Sequence, residues 1–205
     1  MTSTLVRHPI LRLQVITEDG TRHDDHRVFC RLQHRSVRVD DCVQCHHFDA
    51  VTDGAGATVD CSIPEIPSMP SDDPTGEWTE IGVILCTGTV VVAQSAAVDS
   101  ALRVLRTEER RSVPIVDENH VLVGMIHETG FMGRRSLRGL DGAISAAMST
   151  AIAVHERTPV RVALRLLAAN HLREATVVSA DGIPIGVFRD VDGLHWIGLA
   201  RGTAR

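Results

Sequence analysis

The chain has 205 residues and a formal net charge of −5, and all 21 of its cationic residues are arginines. Hydrophobic residues make up 43% of the chain and charged residues 23%, an ordinary composition for a globular protein. No basic tract points to a nucleic-acid partner, and no apolar run approaches the roughly 18 residues of a membrane span. The amino terminus lacks the apolar segment of a signal peptide. We therefore expect a cytoplasmic protein that binds neither nucleic acid nor membrane.

Four of the five cysteines lie in the first 62 residues. They are Cys30, Cys42, Cys45 and Cys61. In a reducing compartment cysteines are more often thiols or metal ligands than disulfides, and four thiolates complete a tetrahedral zinc shell. We therefore predict a structural zinc ion bound by these four side chains. The alternatives are an iron–sulfur cluster, free or redox-active thiols, and replacement of one cysteine by His34, His46 or His47.

The same segment contains few large apolar side chains. Leu11, Leu13 and Val15 alternate with polar residues, which predicts a half-buried strand. A unit with such a small core often needs a metal ion or a partner to fold. We predict a small cysteine-rich, β-containing domain over 1–62. An extended linker should follow over 63–78, where four prolines fix φ and remove backbone donors.

The remainder of the chain contains an internal repeat. Residues 89–132 match residues 151–194 without a gap at a shift of 62 positions. Ala101-Leu102-Arg103 falls on Ala163-Leu164-Arg165, and Gly124 falls on Gly186. A period of this length indicates two copies of one module.

Each copy has the same order of local signals. A β-branched run is followed by apolar residues at helical spacing, then by two strands around a polar turn, and then by a second helix. This order predicts β-α-β-β-α twice. The copies are expected over 79–140 and 141–205 and should fold as one unit, because each sheet has a face that only the other copy covers. The last helices are predicted near 128–138 and 190–200.

The strand at 112–117, the hairpin ends at 122–126 and 184–188, and the Ala-Leu pairs in both helices resemble a tandem pair of cystathionine-β-synthase (CBS) domains. The resemblance covers about 81–200. It implies an α+β fold, with two modules packed about a pseudo-two-fold axis. It also implies a regulatory, non-enzymatic protein that forms a homodimer through the CBS pair. The implied ligand is an adenosine-type small molecule such as AMP, ATP or S-adenosylmethionine, bound in a cleft.

The ligand motif of that family follows the hairpin glycine as two apolar residues, Ser or Thr, two further residues and Asp. The second copy keeps Asp192 and has Arg189 at the hydroxyl position, whereas the first copy has His127 and Gly130. The resemblance therefore implies a single nucleotide site in the second repeat, with Asp192 on the ribose and Arg189 near phosphate. The residues predicted to form this site are Thr150, Ile152, Thr176, Arg189 and Asp192.

The sequence contains no nucleophile elbow, no glycine-rich phosphate loop and no His-Glu-x-x-His motif, and we expect no enzyme. One alternative to a ligand sensor is a ligand-free dimerisation scaffold. In that case the cysteine-rich region would supply a metal-dependent interaction or a thiol redox element. Asp192 favours the sensor, whereas Thr176, Arg189 and Gly130 favour the scaffold.

Overall fold

The computed structural model of the protein describes residues 3–17, 19–54, 56–64, 75–85, 88–108, 110–128 and 144–203. The strands in chain order are β1 (Ser3–Pro9), β2 (Leu11–Ile16), β3 (Arg22–Cys30), β4 (Arg35–Arg38), β5 (Phe48–Thr52), β6 (Thr58–Pro64), β7 (Thr89–Ala93), β8 (Ser112–Val116), β9 (Leu122–His127), β10 (Ala153–His155), β11 (Glu174–Val178) and β12 (Pro184–Arg189). The helices are α1 (Val39–Val43), α2 (Ile81–Ile84), α3 (Val98–Thr107), α4 (Val160–Ala169) and α5 (Asp190–Thr203). A short 3-10 turn spans Ile144–Ala146.

The two repeats fold alike. α3, β8 and β9 begin 62 residues before α4, β11 and β12. Both hairpins have a register irregularity at the same place, between Ile115 and Val116 in one and between Val177 and Val178 in the other. The predicted β-α-β-β order is therefore confirmed in both copies, as is the last helix of the second copy. The last helix predicted near 128–138 in the first copy, like most of the predicted linker, lies outside the described residues.

Each repeat buries one face of its first helix against its own sheet. In the first repeat Val98, Ala101 and Val104 of α3 pack in a core with β7 and β8. In the second, Val160 and Leu167 of α4 pack in a core with β11 and β12. The spacing of these apolar side chains, three residues in α3 and seven residues in α4, puts them on one stripe of each helix.

The amino-terminal region is joined to the first repeat through its second strand. β2 pairs in parallel with β7, giving one six-stranded sheet in the order β4-β3-β2-β7-β8-β9. Along β2 the buried Leu11 and Leu13 flank the exposed Arg12, so the predicted half-buried strand is confirmed. The sequence-based boundary at residue 62 thus separates strands of a single sheet. Pairing with β2 covers an edge of β7 that would otherwise expose backbone donors and acceptors.

β2 also contacts the second repeat. Leu11 belongs to the apolar core that contains Val177 and Phe188, and Leu13 packs near Ile183. A separate antiparallel sheet in the order β1-β6-β5 contacts the six-stranded sheet where β1 lies beside β3. No helix in the described part of the chain is long and apolar enough to span a membrane.

Candidate functional site

A cavity of about 700 Å³ lies where the strands of the two repeats meet. Both repeats contribute the first residues of their middle strands, β8 and β11, and both contribute a residue of the strand that follows. The lining residues are Arg111, Ser112, Pro114, Met125, His127, Glu128, Ile152, His171, Leu172, Arg173, Glu174, Ala175, Thr176 and Val187. Several of these are equivalent under the 62-residue shift, such as Arg111 with Arg173 and Met125 with Val187. The cavity therefore lies between equivalent parts of the two repeats.

Two of the polar contacts in the cavity join the two repeats. The Ser112 hydroxyl donates to Oε1 of Glu174 at 3.4 Å, and these two residues occupy equivalent positions. The buried hydroxyl of Thr176 lies 3.8 Å from the sulfur of Met125. Arg173 contacts the carboxylate of Asp190 at 3.3 Å and remains largely exposed. The walls are thus held by cross-repeat contacts, while the guanidinium groups stay accessible.

This arrangement suits a ligand with a planar apolar part and an anionic part. Ile152, Met125 and Val187 provide apolar surface, as in most small-molecule sites. Arg111 and Arg173 add planar donor groups that match phosphate oxygens.

The structure brings together two of the five residues predicted for the nucleotide site. Ile152 and Thr176 line the cavity, and Thr150 is not among the lining residues. Arg189 and Asp192 also lie outside this lining. Instead they form a two-pronged ion pair with each other, with both nitrogen–oxygen distances at 3.0 Å. Asp192 is therefore engaged by the same arginine that was expected to approach phosphate.

The polar motif residues that line the cavity come from the first repeat. His127 and Glu128 stand at the positions equivalent to Arg189 and Asp190. These first-repeat residues share the cavity with the second repeat because the end of β9 lies opposite Ile152 and the start of β11. Motif matching within each copy missed Arg111 and Arg173, and it located His127 but assigned the site to the other copy. The sequence signal that could have found them is the equivalence of Arg111 and Arg173 immediately before the two middle strands.

The four predicted metal-binding cysteines also come together. Cys30, Cys42, Cys45 and Cys61 all line a second cavity of about 150 Å³ in the amino-terminal region. Burial, with the neighbouring thiols adding to it, raises the pKa of Cys42 to about 12 and raises the pKa of Cys61 as well. Within the described ranges, however, no three Cys, His, Asp or Glu side chains are grouped so as to hold a metal ion. The predicted residues therefore share a cavity, but a formed zinc shell is not observed.

Comparison with known proteins identifies the repeated module. The CBS domain family matches residues 82–135 and 143–198, which is more than half of the chain. The chain belongs to the CBS domain family. Both matched segments coincide with the repeats described above, so the predicted CBS pair is confirmed. No relative was found among the curated proteins compared with this chain.

Solved structures of other CBS pairs resemble this one. The crystal structure of CBSX2 in complex with AMP is 26% identical, with a TM-score of 0.50, and the match covers 62% of this chain and 98% of that one. The CBS domain of a bacterial CNNM/CorC family Mg²⁺ transporter in complex with ATP is 20% identical, with a TM-score of 0.51 and coverage of 60% and 89%. The CBS pair of protein MJ0100 with 5′-methylthioadenosine and S-adenosyl-L-methionine is 22% identical, with a TM-score of 0.48 and coverage of 58% and 96%.

Proposed function

We propose that this protein is a non-enzymatic regulatory sensor whose CBS pair binds one adenosine-type ligand, such as AMP, ATP or S-adenosylmethionine. The observation that carries the proposal is the 700 Å³ cavity between the repeats, which combines apolar walls with two arginines. The similarity to CBSX2, whose structure contains AMP, supports the same class of ligand. A ligand that contacts both repeats can stabilise one arrangement of the pair over another, which is the physical basis of a sensor.

The lining residues divide naturally among the parts of such a ligand. Ile152, Met125 and Val187 would contact the base, since they form the apolar part of the wall. Arg111 and Arg173 would bind phosphate, or the carboxylate of S-adenosylmethionine. Glu128 and Glu174 would accept hydrogen bonds from ribose hydroxyls, the part that the sequence assigned to Asp192. Thr176, also predicted from the sequence to belong to the site, would lie beside the base, next to Met125.

Calorimetric titration of AMP, ATP and S-adenosylmethionine tests the assignment. The informative variants are Arg111→Gln, in the cavity lining, and Arg189→Gln, outside it. Both arginines are exposed, so neither substitution threatens the fold. A hydrogen bond to a charged group contributes about 1.5–3 kcal/mol, and about 1.4 kcal/mol is a tenfold change in affinity. We therefore expect Arg111→Gln to weaken binding about tenfold or more, whereas Arg189→Gln should bind like the wild type.

The opposite pattern of affinities would show that the ligand binds at the second-repeat motif. If Arg189→Gln and Asp192→Ala weaken binding while Arg111→Gln does not, the cavity assignment is wrong and the sequence-based one is right. If the wild type binds none of the three ligands, the sensor proposal fails. The ligand-free dimerisation scaffold is then the better supported function, and the exposed apolar surface of α5 favours it. Val191 and Leu194 of α5 are both more than half exposed, which is typical of a helix that packs against a partner.

A further inference from the structure

Four cysteines from three separate parts of the chain converge on one small cavity in the amino-terminal region. Cys30 ends β3, Cys42 lies in α1, Cys45 follows α1, and Cys61 lies in β6. Two different sheets are involved, because β3 belongs to the six-stranded sheet and β6 to the three-stranded one. All four side chains line the 150 Å³ cavity. The tertiary fold therefore brings together every cysteine of this region, from three places along the chain.

The backbone around the cysteine pair holds it in a tight turn. The Cys45 N–H donates to the Cys42 carbonyl at 2.9 Å, and the Phe48 N–H donates to the Cys45 carbonyl at 3.0 Å. β5 then begins at Phe48, which stands opposite Cys61 in the β5–β6 register. The turn and the register together bring the Cys42–Cys45 pair to the strand that carries Cys61. A Cys-x2-Cys turn facing two further cysteines is the arrangement of a four-thiolate metal site.

We propose that Cys30, Cys42, Cys45 and Cys61 bind one zinc ion through four thiolates. The side chains are not yet grouped as ligands in the described residues. Binding therefore requires them to turn inward across the cavity that they already line. Each thiol releases its proton to solvent as it binds, and the ion and its ligands together then carry two negative charges.

Two arginines that line the cavity can balance that charge, and His47 can support the ligands through a hydrogen bond. Arg31 and Arg35 line the same cavity, and two guanidinium groups beside a doubly negative centre stabilise it. The ring Nδ1 of His47 lies 3.1 Å from the carbonyl oxygen of Ser62, so one of its two nitrogens is already engaged. Such hydrogen-bonded neighbours commonly orient the ligands of a metal site.

The apolar core beside the cavity is small enough to need such a cross-link. Among the described residues its buried members are Val28, Cys42 and Val59. A zinc ion would join β3, α1 and β6 at one point and would fix the two sheets to each other. Since β3 pairs with β2, and β2 pairs with the first repeat, the ion would also stabilise the attachment of this region to the CBS pair.

The test uses the full chain, purified without chelator, and measures zinc by elemental analysis. We expect about one zinc ion per chain. Cys45→Ser and Cys61→Ser should each lose most of it, whereas Cys86→Ser, which changes the one cysteine outside this region, should retain it. Because a ligand variant can also fail to fold, the wild type should be stripped of metal and titrated with Co²⁺. One equivalent should produce the thiolate-to-cobalt absorption of a tetrahedral four-thiolate site.

Three outcomes would overturn the proposal. The first is folded wild-type protein that carries no zinc after growth in zinc-supplemented medium and gives no thiolate–cobalt absorption. The second is a brown protein with iron and labile sulfide, which identifies a cluster instead. The third is an intact mass lower by two hydrogens per cysteine pair, which identifies disulfides. None of these outcomes depends on a nucleotide, so the metal proposal and the sensor proposal succeed or fail separately.

Discussion

Glu156 is a buried carboxylate that ties the amino-terminal region to the second repeat. Its side chain is fully inaccessible to solvent. Oε2 accepts a hydrogen bond from the Ser36 N–H at 2.8 Å, and Oε1 accepts one from the Ala180 N–H at 3.1 Å. Ser36 lies in β4 and Ala180 in the turn between β11 and β12, so a single side chain satisfies backbone donors from two distant parts of the chain.

Substitution of Glu156 should therefore be destabilising. Each buried donor left without a partner costs about 1–3 kcal/mol, so Glu156→Ala should lower the free energy of unfolding by at least that amount. Urea unfolding followed by circular dichroism measures it. Glu118→Ala, at an exposed position in the first-repeat turn, is the matched control and should unfold like the wild type. Equal midpoints for Glu156→Ala and the control would show that these two hydrogen bonds do not stabilise the fold.

His8 gives the amino-terminal region a pH dependence. Burial, with the nearby charge of Arg31 adding to it, lowers the pKa of His8. The unfolded chain, with a histidine pKa of about 6.5, then binds a proton more readily than the folded chain does. Stability should be fully present above pH 6.5 and should fall as the pH is lowered through 6.5 toward the folded-state pKa.

The measurement compares urea unfolding of wild type and His8→Gln at pH 7.5 and pH 5.5. The variant cannot take up this proton, so it should lose less stability between the two pH values than the wild type does. His195→Gln, at an exposed position of α5, should behave like the wild type. Identical pH dependence in wild type and His8→Gln would exclude His8 as the titrating group.

At the scale of elements, β2 is the strand that joins the amino-terminal region to both repeats. Removing it would expose the edge of β7 and would take Leu11 out of the second-repeat core. The sequence led us to expect that the two copies, over 79–205, fold as one unit. The structure adds that this unit includes β2, so a chain beginning at residue 79 should unfold at a lower temperature than the full chain. Thermal unfolding followed by circular dichroism compares the two.

A point substitution isolates the packing of that strand. Truncating a buried leucine to alanine costs about 2–5 kcal/mol. Leu11→Ala should therefore lower the free energy of unfolding of the full chain by a similar amount. Leu5→Ala removes the same atoms from a side chain that is 61% exposed and should change stability little. Equal stability of the two variants would mean that β2 is dispensable for the core.

The elements that the sequence predicted well are those with local signals. α3 and α4, the two hairpins and the alternation along β2 follow from spacing within a few residues. The pairing of β2 with β7 does not, because a parallel contact between strands more than 70 residues apart leaves no periodic trace in either strand. The same limit applies to the cavity. Ile152 and Thr176 were found by position in the repeat, whereas Arg111 and His127 matter only once the two copies face each other.

At the scale of the whole molecule, the pseudo-symmetry of the CBS pair is broken by the amino-terminal region. β7 is flanked by β2, whereas β10 pairs with β11 alone among the described strands. Ile152, which lines the open cavity, is equivalent to Val90, and Val90 is buried with its backbone paired to Gln14 of β2. Val90, the first-repeat equivalent of the cavity-lining Ile152, is thus covered by β2.

This asymmetry predicts one ligand per chain. Calorimetric titration of the full chain with whichever of AMP, ATP or S-adenosylmethionine binds should give a stoichiometry near one. A chain beginning at residue 79, if it stays folded, should expose the second position and allow a stoichiometry above one. A value of two for the full chain would show that β2 does not close the second site.

The exposed apolar side chains of α5 predict that two chains associate. Val191 and Leu194 are 55% and 60% exposed, and Val162 of the adjacent helix α4 is 42% exposed. An apolar patch of this kind on one side of a CBS pair fits a two-fold contact with a second copy, since the same patch then covers itself. Leu194→Glu places two carboxylates in that contact and should shift the protein from dimer to monomer in sedimentation velocity. Val123→Glu makes the same type of change at an exposed position of β9 and should leave the dimer intact. A wild type that sediments as a monomer at all concentrations tested would contradict the predicted association.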